Sequence, residues 1–80
     1  MRAQSDQSKI EAIDVARDYV AKHMPDMSYV LTNDYEAICV DLGTFWGVTF
    51  EKPGTHPTGG VPNVYIDKKS LNVVRAEIGM

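Results

Sequence analysis

The hydrophobic pattern of this chain changes its period once, between Pro25 and Ser28. Before that point apolar residues recur at helical spacing. At about 100° per residue, Ala12, Ile13, Ala16, Tyr19, Val20 and His23 share one broad face, and Glu11, Asp14, Asp18 and Lys22 fall opposite. After it the pattern alternates with period two. Ala37–Leu42, Phe45–Glu51, Asn63–Asp67 and Val73–Ile78 read as strands, with Gly43-Thr44 and Lys68–Asn72 as turns. One helix followed by sequential strands is an α+β design, in which an N-terminal amphipathic helix lies across one side of a 3–4 stranded antiparallel meander. The length of 80 residues leaves no room for a dinucleotide-binding domain, a barrel or a second core.

Local signals place the boundaries. Ser8 with Glu11 three residues later is a capping box, so the helix is expected to start there and residues 1–7 to form a flexible leader. Pro25 disfavours helical geometry at Met24 and ends the helix near His23. Residues 8–80 then form a single domain. Tyr29–Thr32 reads as a short strand interrupted by Asn33-Asp34, with the assignment of residues 27–33 left open. The segment Lys52–Pro62, with three prolines and three glycines, reads as a turn-rich loop. The expected core is Ile13, Ala16, Val20, Ile38, Val40, Trp46, Val48, Phe50, Val64, Ile66, Val74 and Ile78. Cys39, Phe45, Thr49, Tyr65, Val73 and Arg75 then fall on the opposite face of the sheet.

Charge and composition narrow the functional classes. Eight Lys and Arg against eleven Asp and Glu give a formal charge of −3, which disfavours a general nucleic-acid binder. No apolar run approaches the ~18 residues of a membrane span. The polar start, MRAQSDQSKI, reads as that of a cytoplasmic chain. A single cysteine excludes a disulfide framework within the chain. Cys39 has Glu36 and Asp41 nearby, which oppose thiolate formation, so it reads as a small buried hydrophobe. His23 and His56 share no ligand spacing with Cys39 or a carboxylate, and no metal is expected. Gly59-Gly60 precedes a strand rather than a helix and makes no phosphate cradle. No catalytic constellation and no cofactor motif emerges, and the chain reads as a non-enzymatic protein.

One feature of the charge order points to a partner. Between Lys22 and Lys52 there is no Lys or Arg, and the interval holds Asp26, Asp34, Glu36, Asp41 and Glu51. A surface of one sign steers a basic partner. Combined with an apolar open sheet face, this gives a candidate partner-binding set of Asp34, Tyr35, Glu36, Asp41, Phe45, Glu51 and Tyr65.

The helix IEAIDVARDYVAKHMPD, the strand FWGVTFEKP and the segment GGVPNVYIDKKSLNVV together resemble small bacterial toxin-immunity proteins, whose fold is described as cystatin-like or like nuclear transport factor two. Peptidase-propeptide (PepSY-like) domains have a similar strand ending. The likeness spans roughly residues 9–78. It departs at Ser70-Leu71, where the family usually places Thr-Gly, and Asn72 is then expected to supply the left-handed turn residue. The resemblance implies binding rather than catalysis: an immunity protein sits on a cognate toxin and blocks it. Two other readings stay open. One is a housekeeping or structural homo-oligomer, a homodimer whose interface is the open face. The other is a small ligand-binding or hydrolase domain using a cavity between helix and sheet.

Overall fold

The computed structural model describes residues 2–54 and 60–78. The architecture is α+β. Helix α1 (Arg2–His23) is followed by a 3-10 segment (Pro25–Leu31) and four strands, β1 (Glu36–Asp41), β2 (Phe45–Glu51), β3 (Pro62–Asp67) and β4 (Val73–Ile78). The strands form one antiparallel sheet in sequence order, β1-β2-β3-β4.

Helix α1 begins six residues earlier than the capping box suggests, so residues 2–7 are its first turns rather than a leader, and Ser8 lies inside it. The stretch RAQSDQ contains neither Gly nor Pro, and nothing in it halts helix propagation. At the other end the helix stops at His23, as Pro25 requires. Tyr29–Thr32 is not a strand. Pro25 occupies the first turn of the 3-10 segment, and the Thr32 hydroxyl donates to the Tyr29 carbonyl at 2.9 Å to close its end. The segment carries Val30 into the core.

The helix presents Ala12, Ala16 and Val20, all 0% exposed and spaced by four, to Trp46, Val48 and Phe50 of β2 and Val64 and Ile66 of β3. Two alanines in this stripe let the helix approach the sheet closely, and the two central strands supply the bulk. Four members of the expected core are displaced from it. In β1 the parity is reversed. Ala37 and Cys39, opposite Phe50 and Val48, meet the core, whereas half-buried Ile38 and 47%-exposed Val40 pair with Thr49 and Gly47. In β4 the register shifts between Tyr65 and Ile66, so Ile66 pairs with Val73 while Tyr65 pairs with Arg75. This β-bulge brings Val73 against the core and leaves Val74 exposed. Ile78, at the strand's end, is exposed as well.

The β3–β4 turn corrects one more expectation. Leu71, not Asn72, adopts the left-handed conformation, with φ of 59°. Asp67 braces the turn by accepting from both the amide and the hydroxyl of Ser70 at 2.9 Å. These bonds, the amide first, hold the Asp67 carboxyl below its usual range. Leu71 keeps its strained backbone because its side chain packs on the core. Removing the side chain while keeping the strain is therefore worse than removing both. Leu71→Gly should be more stable than Leu71→Ala by about 1 kcal/mol, the reverse of the order in regular structure. Urea denaturation of the two variants checks this, and equal midpoints would remove the strain argument.

Candidate functional site

With α1 on one face, the other face of the sheet carries an apolar patch. By strand alternation it presents Ile38 and Val40 of β1, Phe45, Gly47 and Thr49 of β2, Asn63 and Tyr65 of β3, and Arg75 and Glu77 of β4. Leu42, just beyond β1, joins them. Val40, Leu42 and Phe45 are 47%, 48% and 38% exposed. Their centre is Gly47, which lies between Val40 on one side and Tyr65 on the other. A glycine in a central strand weakens it and commonly marks a close approach. Here the approach is by Leu42, whose Cδ1 stands 2.8 Å from where a Cβ at Gly47 would be. Around this point lies a depression of about 180 Å³, walled by Val40, Leu42, Thr49, Asn63 and Tyr65.

Polar groups border this patch on two sides. Toward β4, the Tyr65 hydroxyl donates to Glu77 Oε2 at 3.0 Å, and Arg75 Nη2 donates to Glu77 Oε1 at 3.0 Å. The bond to Glu77 pushes the Tyr65 hydroxyl above its ordinary pKa, with burial adding to it. Toward the start of β1, Glu36 and Glu51 are direct cross-strand partners, both exposed. Like charges directly opposite are destabilising in a sheet. Neither enters an ion pair among the described residues, where the pairs are Asp18–Lys22, Asp41–Lys68 and Glu77–Arg75.

Four of the seven residues expected to bind a partner are therefore gathered on this face: Glu36, Phe45, Glu51 and Tyr65. Asp34 is exposed in the turn before β1. The other two point elsewhere. Tyr35 packs on the core, with its ring edge-on to Tyr29 at 5.7 Å. Asp41 pairs in register with Trp46 and is engaged within the molecule. Lys68 Nζ lies 2.6 Å from its Oδ1 and 4.4 Å from the centroid of the Trp46 ring, and the Gly43 amide donates to the same oxygen at 2.9 Å. The Lys68 bond first, and then the Gly43 amide, hold the Asp41 carboxyl below its usual range. Val40, Leu42 and Gly47 are the site residues that sequence reasoning missed. The one available signal was a glycine between Trp46 and Val48 in an otherwise regular strand.

The groups that could have carried chemistry are placed otherwise. Cys39 faces the helix side, and burial is the first cause raising its thiol above the ordinary value, so the protonated form prevails at neutral pH. His23 packs against Tyr19, with ring centroids 4.7 Å apart and the planes tilted by 35°. His56 and Gly59 lie outside the described residues. Among the described residues no three His, Cys, Asp or Glu side chains gather as metal ligands, and no helix is long and apolar enough to cross a membrane. The fold and this face define an α+β domain with one sheet surface exposed. No family model, curated protein or solved structure matches the chain.

Proposed function

We propose that this chain is a non-catalytic binding module that covers another protein with its outer sheet face, acting in the cytoplasm as the immunity partner of a bacterial toxin. The observation that carries the reading is the exposed apolar cluster of Val40, Leu42 and Phe45 around the Gly47 depression. A concave apolar centre with a polar rim is the usual anatomy of a protein-docking surface. The opposed carboxylates of Glu36 and Glu51 favour a partner with a cation at that rim, because a Lys or Arg set between them relieves their repulsion. The toxin class comes from the sequence resemblance, and so does the cystatin-like label. The depression lies on the outer face and not between helix and sheet, which speaks for a partner's side chain rather than an enclosed small ligand.

The test takes as its ligand the product of a toxin gene sought beside this chain's own. Leu42→Glu should weaken its binding by at least about 2 kcal/mol, some thirtyfold in Kd, through a faster dissociation rate. Glu36→Lys with Glu51→Lys should mainly slow association and flatten its salt dependence. Surface plasmon resonance at two ionic strengths separates the two effects. Unchanged affinity on Leu42→Glu, with the fold intact by circular dichroism, would reject this face as the docking site.

A further inference from the structure

We propose that the chain forms a two-fold dimer in which β4 pairs antiparallel with β4 of a second copy, in the register centred on Ala76. This rests on the edge of the sheet and is independent of the binding role of its outer face. Strand β4 is an end strand, and among the described residues no strand pairs with its outer side. An edge is normally guarded by charges of one sign, above all Lys, by Pro, by an inward-pointing charge or by a bulge that twists it away. Of these β4 has only the bulge at its start, its two charges being of opposite sign. In β4, VVRAEI, there is neither Lys nor Pro, and Val74 and Ile78 stand 51% and 57% exposed. The bulge at Val73–Val74 distorts one end only and leaves Arg75–Ile78 in regular register with β3.

The charges then select one register. In an antiparallel pair, residues directly opposite must both turn their amides toward the partner or both away. For a strand pairing with its own image, the two-fold axis must therefore pass through a residue and not between two. An axis at Arg75 sets that guanidinium against its own image, and an axis at Glu77 does the same to the carboxylate. An axis at Ala76 sets Arg75 opposite the second copy's Glu77, and Glu77 opposite its Arg75. The same register places each Val74 opposite an Ile78, and Ala76 opposite itself. Both exposed apolar residues of the edge and both of its charges are thus matched at once. Within one chain, Arg75 already reaches Glu77 at 3.0 Å along the strand, and Tyr65 holds the carboxylate in place at 3.0 Å. Across the axis the backbones of opposed residues stand about 4.5–5.5 Å apart, closer than the roughly 6.7 Å between residues two apart along one strand, so a ring of two arginines and two glutamates closes on the outer face. The other end strand, β1, has only acids, Glu36 and Asp41, and offers no such match. Because the axis runs perpendicular to the sheet, the two outer faces join into one eight-stranded surface with both helices on the opposite side.

Charge exchange tests the register on the intact chain. Sedimentation of the wild type should show the mass rising to that of a dimer between about 1 and 200 µM, the range of a small interface. Arg75→Glu and Glu77→Arg, each folded by circular dichroism, should be monomeric when alone. An equimolar mixture of the two should recover the dimer, since every reversed side chain then again meets an opposite charge. As a second readout, Ala76→Cys in a Cys39→Ser background should crosslink to its own copy under oxidised glutathione, and Val74→Cys in that background should not. A wild type that stays monomeric throughout this range overturns the proposal. So do single variants that remain dimeric, a mixture that stays monomeric, or crosslinking through position 74 in preference to 76.

Discussion

Replacing Trp46 by alanine should lower the stability of this domain by about 3–5 kcal/mol, the cost of deleting a buried aromatic side chain and leaving its cavity. The ring is 4% exposed beneath α1 and belongs to the central cluster of β2 and β3. A chain of 80 residues has roughly 4–12 kcal/mol in total, so the variant should be largely unfolded at 37 °C or close to it. The loss extends beyond the cavity. Lys68, whose ammonium lies 4.4 Å above the ring and 2.6 Å from Asp41, would retain its carboxylate but lose its aromatic partner. Trp46→Phe separates area from polarity. Phenylalanine keeps most of the ring and removes the buried Nε1–H, which has no hydrogen-bond acceptor among the described residues. Relief of that unsatisfied donor offsets part of the lost volume, and the Phe variant should fall within about 2 kcal/mol of the wild type. Urea denaturation followed by circular dichroism measures both. A Trp46→Ala variant within 1 kcal/mol of the wild type, or native fluorescence at the wavelength of water-exposed indole, would contradict the burial of this side chain.

The reasons some elements are legible in the sequence and others are not lie in particular residues. Strands β2 and β3 alternate cleanly, Trp46-Val48-Phe50 and Val64-Ile66, and their inward faces are as the pattern states. Strand β1 reads AICV, apolar at both parities, so periodicity cannot choose its inner face. The choice falls to the small residues, Ala37 and Cys39, on the side where the helix lies, and sends Ile38 and Val40 outward. In β4 the bulge changes parity within the strand, an event set by pairing with Ile66 that local spacing does not record. The same holds for the candidate site. The acids and Phe45 are visible in the sequence, but the depression exists because register places Val40, Gly47 and Tyr65 in one row. The strained Leu71 follows equally from tertiary contact, since turn propensity alone favours Asn72.

Ala16→Asp should be the most damaging substitution on the helix and should show its origin in its pH dependence. Ala16 is 0% exposed, between Ala12 and Val20 in the stripe that meets β2 and β3, and among the described residues no polar side chain is buried in that core. A carboxylate there would be desolvated without a partner, at a cost of about 3–5 kcal/mol near neutral pH, enough to unfold much of the population. Burial disfavours the charged form and raises the carboxyl's pKa in the folded state above its unfolded value of about 3.9. The folded variant then binds more protons than the unfolded one across that interval. Its stability relative to the wild type is best below about pH 4 and is lost as pH rises through the raised folded value. The comparison is made against the wild type at each pH, since the chain's other eleven acids titrate in both proteins. Ala21→Asp, at an exposed position in the last turn of the same helix, is the control; poorer helix propensity and the helix dipole should cost it only about 1–1.5 kcal/mol, with a far smaller change between pH 4 and pH 7. If Ala16→Asp and Ala21→Asp denature at the same urea concentration at pH 7, the helix does not lie on the sheet through this stripe. If the deficit of Ala16→Asp is equal at pH 4 and pH 7, steric crowding of the helix–sheet contact is responsible and desolvation of the carboxylate is not.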